Sequence, residues 1–149
     1  MEKDEKWMEI AIIEANIAKI NNEVPIGAVI VKNEKLLSRG HNQCILNNDP
    51  TAHAEIQAIR NAGKKQKNYR LTETTLYVTL EPCSMCIGAI MNARIDRVVF
   101  GAYDNKLGKT DSFGNCKKNN SKLFFLGGVL EDNCKSLLLE FFKSRRKTK

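Results

Sequence analysis

Two short segments carry residues whose types and spacing suit metal chemistry. His53 and Glu55 stand in the run His-Ala-Glu, and 26 residues separate Glu55 from Pro82, which opens the run Pro-Cys-Ser-Met-Cys. The second run supplies Cys83 and Cys86. One imidazole nitrogen and two thiolate sulfurs are ligands that Zn²⁺ prefers, and three protein ligands leave the fourth tetrahedral position for water. The combination predicts a catalytic zinc site, because a structural site usually has four protein ligands.

The local context of the two cysteines supports metal binding. A lone histidine is more often structural, and a lone Cys-x-x-Cys has zinc, redox and incidental interpretations, so the prediction depends on the combination. Cys83 and Cys86 fall at the start of a predicted helix, where a spacing of three residues turns both sulfurs to the same side. The helix N-terminus also favours thiolates, and Pro82 suits the entry to a helix.

Glu55 is a candidate for proton transfer. On a helix it shares a stripe with Ala58, Ile59 and Ala62, and a carboxylate on a core-facing stripe is costly unless it has a partner. Zinc lowers the pKa of a bound water towards about 7, and an adjacent carboxylate can take the proton and return it. His53 and Glu55 would point about 200° apart on a regular helix, so the metal must lie near the helix's N-terminal end.

The surrounding pattern predicts a single α/β domain over residues 1–149, with a central sheet covered on both faces. Residues 101–120 are expected to form a long loop. In chain order, the expected elements are a helix over 6–20, strands over 28–31 and 35–39, a helix over 52–62, a strand over 74–80, a helix over 83–93, strands over 97–100 and 122–126, and a helix over 132–146.

Both terminal helices are expected to carry an apolar face, and that of the first is wide enough to predict packing against the sheet. The first carries two apolar stripes, one of isoleucines at positions 10, 13, 17 and 20 and one of Met8, Ala11, Ile12 and Ala15. The last is expected to place Cys134, Leu138, Phe141 and Phe142 on one face. Trp7 is most simply core or dimer-facing packing.

Composition excludes a disordered or low-complexity chain and leaves only a weak indication of the partner. The 149 residues are 42% hydrophobic and 28% charged, and 24 Lys+Arg against 17 Asp+Glu give a net charge of +7. This excess favours a polyanionic partner. The chain shows neither a signal peptide nor an apolar run that would span a membrane, so we expect a cytoplasmic protein. Cys44, Cys116 and Cys134 are expected to be bystanders, and His41 a structural or pocket-edge residue.

The pairing of His-x-Glu with Pro-Cys-x-x-Cys is the known signature of the zinc nucleobase deaminases. The wider sequence resembles the bacterial tRNA-specific adenosine deaminases over most of residues 5–147. The resemblance is carried by residues 22–29, 49–56, 68–71, 75–83 and 97–102, and the block from Asp49 to Glu55 is especially specific.

The resemblance implies a three-layer α/β/α cytidine-deaminase-like sandwich with a mixed sheet of about five strands. It also implies a homodimer with one Zn²⁺ per subunit. The implied reaction is the hydrolytic conversion of adenosine to inosine at wobble position 34 of the tRNA-Arg anticodon. An unpaired loop base is less costly to extrude, which suits an anticodon stem-loop as substrate.

The resemblance also implies a role for each matching residue. His53, Cys83 and Cys86 are similar to the family's zinc ligands, and Glu55 to its proton shuttle. Asn42 resembles the asparagine that contacts the flipped nucleotide, and Asp104 the acidic residue beside the flanking nucleotides. The aromatic-then-basic end of the last helix, with Phe142 and Arg145, is similar to the family segment that helps to hold the anticodon loop.

Two other functions remain open from the sequence. A zinc-dependent deaminase of free nucleobases or nucleosides, such as guanine or cytosine, would share the metal motif but leave the basic terminal helix without a role. An RNA-binding module with a structural zinc would leave Glu55 without a role. Turnover of a wobble-adenosine stem-loop distinguishes these alternatives from a tRNA deaminase.

Overall fold

A computed structural model of the chain describes residues 2–108, 110 and 123–147. Four helices and five strands lie within these residues. The helices are α1 (Glu2–Ile20), α2 (Ala54–Gln66), α3 (Ser84–Ala93) and α4 (Glu131–Lys147); the strands are β1 (Gly27–Lys32), β2 (Lys35–His41), β3 (Thr74–Leu80), β4 (Arg97–Ala102) and β5 (Phe124–Leu126). No helix among them is both long and apolar enough to cross a membrane.

The strands form one mixed sheet in the order β2-β1-β3-β4-β5. β1 pairs antiparallel with β2 and β3, whereas β3, β4 and β5 run parallel. The register places Gly27 opposite His41 and Leu80 opposite Ala102. The start of β1 and the ends of β2, β3 and β4 therefore share one edge of the sheet, which is where ligands bind in sheets of this kind.

Helices cover both faces of the sheet, which confirms the predicted three-layer α/β/α class. α2 and α3 pack on one face, over a core that includes Ile30, Leu76 and Val98. α1 and α4 pack on the other face, over a core that includes Met8 and Val99. The metal motifs belong to the first layer and the basic C-terminal helix to the second.

The buried face of α1 is not the isoleucine stripe. Met8, Ala11 and Ala15 are fully buried, as expected, but Ile13 is 53% exposed and Ile20 is 79% exposed. The reason is a very close approach of the helix to β1, where a Cβ atom added to Gly27 would lie 2.1 Å from the Ala11 carbonyl oxygen. A bulky side chain does not fit at the point of closest approach; Ile10 and Ile12 pack at the border of the core, and Ile13 and Ile20 turn outwards.

Several predicted boundaries are wrong by one to four residues. α1 begins at Glu2, and α2 begins two residues later than predicted, because residues 49–52 form a turn. α3 begins one residue later than predicted. β2 continues to His41 and β4 to Ala102, so the loop after β4 is shorter at its start, and its residues 109 and 111–120 lie outside the described residues. β5 begins at Phe124, and Lys122 also lies outside the described residues.

Packing of α4 agrees with the predicted face only in part. Cys134 is buried against β4, close to Gly101, and Leu138 and Phe141 are partly buried. Phe142 is 45% exposed and meets the Phe141 ring edge to face, with 5.5 Å between the ring centroids. Phe142 is therefore not a core residue of the described chain.

Candidate metal centre and its surroundings

His53 lies immediately before α2, in extended backbone with φ −71° and ψ 156°. The turn that leads to it is held by the Asp49 carboxylate, which accepts hydrogen bonds from the backbone N–H and the hydroxyl of Thr51. Asn42 Oδ1 accepts the N–H of Ala54 at 2.8 Å, which satisfies one of the free donors of the first helical turn. His53 is therefore not part of the helix, so the separation of about 200° expected for two residues on one regular helix does not apply to His53 and Glu55.

Cys83 and Cys86 lie at the start of α3. Cys83 is the residue before the helix, with φ −80° and ψ 173°, and Cys86 lies in the first turn. Cys86 is buried and Cys83 half-buried. The N-termini of α2 and α3 therefore meet at the same place, and the positive ends of both helix dipoles favour anionic ligands there.

The three side chains converge through one nitrogen and two sulfurs. His53 Nδ1 lies 3.7 Å from Cys83 Sγ and 3.4 Å from Cys86 Sγ, and all three ligand atoms fall within 4.8 Å of one another. Nitrogen and sulfur ligands on a tetrahedral zinc ion are about 3.6 Å apart, given the usual Zn–N and Zn–S bond lengths. The donor set and its spacing fit zinc.

Cys83 is the member of the cluster whose pKa is lowered. The pKa of the Cys83 thiol falls to about 4, because the Cys86 thiol and the His53 ring hydrogen-bond to its sulfur. The pKa of Cys86 is raised, since its proton is shared with Cys83 and its sulfur is buried. The pKa of His53 is raised by its contact with Cys83. A thiolate therefore already faces the place where a metal would bind.

Glu55 is enclosed in the first turn of α2, where only 4% of the residue is exposed. Burial raises the pKa of its carboxyl above the usual range, and the nearby His53 acts in the opposite direction. A carboxyl that is protonated more readily than usual, next to a metal site, is suited to general acid–base work. The sequence predicted both its burial and its place beside the cluster.

Asn42 and Asp104 also come from the sheet edge that carries the cluster. Asn42 follows β2 and is buried, with its oxygen committed to Ala54. Asp104 follows β4, and its Oδ1 accepts the backbone N–H groups of Lys106 and Leu107 at 3.0 and 3.1 Å. Both residues thus lie at the edge of the sheet that carries the candidate centre, Asn42 against the start of α2 and Asp104 against Glu81.

Phe142 and Arg145 lie in α4, on the opposite face of the sheet from α2 and α3. Arg145 donates a hydrogen bond to the Asn22 carbonyl at 2.5 Å and lies over the Phe141 ring, 4.7 Å from its centroid. These contacts hold the end of α4 against the turn between α1 and β1. The structure therefore separates these two predicted contacts from the metal cluster.

His41, Cys44 and Cys134 lie outside the candidate centre. His41 Nδ1 lies 3.0 Å from the buried Glu14 carboxylate, so its role in the fold is structural. Cys44 and Cys134 are free thiols, and burial raises the pKa of Cys134 to about 12. Cys116 lies outside the described residues.

Sequence reasoning missed Glu81, a buried carboxylate two residues before the ligand candidate Cys83. It accepts hydrogen bonds from the backbone N–H groups of Asp104 and Thr110, at 3.0 and 3.2 Å, and from the Thr110 hydroxyl. The available signal was its position, directly after a buried strand and before Pro82. The partners are more than 20 residues away, and no local pattern indicates them.

The fold and the sequence around the cluster define a zinc-binding deaminase. Residues 1–102 match the family model of the cytidine and deoxycytidylate deaminase zinc-binding region. The chain therefore belongs to the cytidine and deoxycytidylate deaminase family, and it is an enzyme of the deaminase class.

Within that family the chain is similar to bacterial tRNA-specific adenosine deaminases, as its sequence predicted. It is 50% identical to the tRNA-specific adenosine deaminase of Buchnera aphidicola subsp. Baizongia pistaciae over 149 residues, which cover 98% of this chain and 92% of that one. It is 47% identical to the protein of the same name from Haemophilus influenzae, over 99% of this chain and 88% of the relative.

Solved structures show the same fold. A chain from a study of A-to-I editing by tRNA:A34 deaminases is 40% identical, with a TM-score of 0.85, over 89% of this chain and 99% of that one. A guanine deaminase from Nitrosomonas europaea has a TM-score of 0.77 at 21% identity, over 92% of this chain and 83% of that one. At that identity the second likeness shows the fold alone.

Proposed function

We propose that this protein hydrolytically deaminates adenosine to inosine at wobble position 34 of a tRNA anticodon, with tRNA-Arg as the substrate that the sequence resemblance implies. Relatives from three bacteria that are 43–50% identical over nearly the whole chain are named tRNA-specific adenosine deaminases. The main support for the chemistry is the buried Glu55 carboxyl: the residue is 4% exposed and lies two residues after the ligand candidate His53. The whole chain, residues 1–149, is proposed to form one catalytic domain.

His53, Cys83 and Cys86 are proposed to hold one zinc ion per chain. They form the one His/Cys/Asp/Glu cluster with metal-binding geometry among the residues that the structure describes. When bound, zinc supplies Lewis acidity that makes water a nucleophile at neutral pH. Three protein ligands leave one tetrahedral position for that chemistry, as in other catalytic zinc sites.

Glu55 is proposed to move the protons of the reaction. It accepts a proton from the water that attacks C6 of the extruded adenine, and it delivers that proton to N1 of the ring. It then takes the remaining proton of that water from the new C6 hydroxyl and transfers it to the C6 amino group, the C6–N bond breaks, and ammonia leaves. The new oxygen stays on C6, and the product is inosine. Burial raises the pKa of Glu55, which helps the carboxyl to hold the proton between the steps.

Asn42 and Asp104 are proposed to contact the RNA beside the reacting base. Because Asn42 Oδ1 is committed to Ala54, its amide N–H groups are the part of the side chain that serves as donors to the flipped nucleotide. Asp104 is held at the edge of the site by its own loop, where it meets the flanking nucleotides.

Phe142 and Arg145 are proposed to contact the anticodon loop further from the metal. The exposed Phe142 ring offers a stacking surface for an unpaired base. The α4 end also carries Arg146 and Lys143, which supply positive charge for phosphates.

A homodimer and a cytoplasmic location complete the proposal. The sequence resemblance implies the homodimer, and a tRNA substrate suits the cytoplasmic location that the sequence predicts. Ile45 and Leu46, before α2, are 62% and 63% exposed, and apolar side chains of this size are suited to burial by a second copy of the chain. Light scattering on the purified protein measures the mass that decides this point.

The test is inosine formation on an anticodon stem-loop with adenosine at position 34, measured by mass spectrometry with zinc-loaded protein. A stem-loop with its adenosine one position away is the matched control and should remain unmodified. Free guanine and cytosine form a parallel arm. Turnover of these bases without inosine would favour the nucleobase deaminase, and tight RNA binding without any turnover would favour the structural-zinc module.

A further inference from the structure

The Glu81 carboxylate accepts hydrogen bonds from two residues that follow β4, Asp104 and Thr110. Glu81 is 7% exposed. Its Oε1 accepts the Asp104 N–H at 3.0 Å, and its Oε2 accepts both the N–H, at 3.2 Å, and the hydroxyl of Thr110. Hydrogen bonds to a charged acceptor are stronger than neutral ones. Asp104 and Thr110 are therefore both tied to one side chain.

The chain at Gly108 approaches the Glu81 side chain closely. A Cβ atom added to Gly108 would lie 2.3 Å from Glu81 Oε1 and 2.5 Å from the Asp104 carbonyl oxygen. The Gly108 N–H donates to that same carbonyl at 2.9 Å. Any larger residue at position 108 would collide with Glu81, so glycine permits this close contact.

Glu81 is the first residue of the short segment, residues 81–83, that connects β3 to α3. Its N–H donates to the Ala102 carbonyl at 2.8 Å, and Pro82 and Cys83 follow it directly. Glu81 therefore connects the segment that carries the ligand candidate Cys83 to the residues after β4 that include Asp104. Asp104 takes its orientation from these residues, because its Oδ1 caps Lys106 and Leu107.

We propose that Glu81 is a positioning residue that fixes residues 103–108 and Thr110 to the segment before α3 and so places Asp104 against the nucleotides flanking the reacting base. This inference rests on the proposed function, in which Asp104 meets the RNA. Glu81 itself touches neither the metal ligands nor the reacting base in this account. Its effect is on RNA binding, and the chemical step depends on other residues.

Glu81→Gln tests the role with little change in shape. Glutamine keeps one acceptor oxygen but presents an NH₂ group to a backbone donor, so one end of the loop loses its anchor. We expect KM and Kd for the stem-loop to rise about tenfold, the effect of one lost charge-assisted hydrogen bond. Both kcat and the zinc content should stay within about twofold of wild type, since the metal and Glu55 are retained.

Thr110 supplies a matched pair of variants. Thr110→Val removes the hydroxyl donor and keeps the shape, so we expect KM to rise about threefold to tenfold. Thr110→Ser keeps the hydroxyl and should match wild type. If Glu81→Gln does not fold, this pair decides the question, and equal KM values for the two variants overturn the proposal.

A double-mutant cycle shows whether Glu81 acts through Asp104. If it does, adding Glu81→Gln to Asp104→Ala raises KM little further, because the contact is already lost. Fully multiplicative effects, an unchanged KM in folded Glu81→Gln, or a loss confined to kcat and zinc content each overturn the proposal.

Failure of this role is distinguishable from failure of the proposed function. A zinc-loaded wild-type protein that leaves the stem-loop unmodified refutes both the function and the RNA role of Glu81. An active wild type with a silent Glu81→Gln refutes the Glu81 role alone. Hydrogen exchange at the Asp104 and Thr110 amides, faster in Glu81→Gln if the anchor is real, reports the loop directly without any RNA.

Discussion

Gly40 in β2 lies directly beneath α2, and its replacement by alanine tests how the helix sets the geometry of the site. A Cβ atom at Gly40 would lie 2.5 Å from the Ala58 nitrogen and 2.6 Å from the Ala54 oxygen. Both atoms belong to the helix backbone, so no side-chain rotation relieves the contact. Since non-bonded heavy atoms settle at about 3.5 Å or more, α2 must move away from the strand by about 1 Å.

This displacement acts on two of the candidate catalytic groups and not on the others. His53 and Glu55 move with the start of α2, whereas Cys83 and Cys86 belong to α3. A misplacement of about 1 Å costs roughly 100-fold in rate, so we expect kcat/KM on the stem-loop to fall by about that factor. Overpacking also costs about 1–3 kcal/mol, which lowers Tm by roughly 2–12 °C in a chain of this size.

Gly88→Ala is the matched control for Gly40→Ala. Gly88 is exposed in α3, and a Cβ atom there would meet nothing within 4 Å. Alanine is favoured over glycine inside a helix by about 1 kcal/mol, so Tm should rise by roughly 2–4 °C with no loss of activity. Steady-state kinetics, thermal unfolding and zinc content are measured on both variants. A Gly40→Ala protein with wild-type kcat/KM and Tm would refute the reasoning.

Three further predictions concern stability, the metal and the RNA. Asp4 accepts two hydrogen bonds from Arg97 at 2.8 and 2.9 Å, which lower the pKa of its carboxyl; Asp4→Asn should cost about 1–3 kcal/mol at pH 7. Because the folded pKa is the lower one, this contribution is present above the unfolded pKa of about 3.9 and is lost as pH falls through the folded value. Urea unfolding at pH 7 and below pH 3.9 should show that loss in wild type only, and an equal acid loss in both proteins would contradict it. Dialysis against a chelator should lower Tm and abolish deamination, and zinc should restore both; verified metal-free protein that keeps full activity would argue against the site. Replacing Arg145 and Arg146 by alanine should weaken RNA binding and reduce the salt slope by roughly 1.4 if each contacts one phosphate; an unchanged slope would place the RNA charge contacts elsewhere.

The fold class and the three metal-ligand candidates could be predicted from the sequence because short sequence patterns encode them. Alternating helices and strands predicted the three layers, and the ligand types predicted zinc. The apparent opposition of His53 and Glu55 was a consequence of assigning both to one helix. The helix begins at Ala54, two residues later than predicted, so His53 stays in extended backbone and the conflict disappears.

The rest depends on contacts between distant parts of the chain. The buried face of α1 is set by the close approach of Gly27, which overrides the larger hydrophobicity of Ile13 and Ile20. The partners of Glu81 follow a later strand, and a periodicity argument holds no information about them. The contact between Arg145 and Asn22 likewise joins two ends of the chain and could not be read from either end.

The most direct test of the central claim is the deamination rate of Glu55→Gln under single-turnover conditions, measured together with its zinc content. Glu55 is proposed to move protons and not to bind metal, so we expect the variant to retain wild-type zinc while the rate of inosine formation falls by a factor of about 10²–10⁴ or more. Glu9→Gln, the same change at an exposed position of α1, should match wild type. A zinc-loaded, folded Glu55→Gln protein that forms inosine at the wild-type rate would contradict the proposed mechanism.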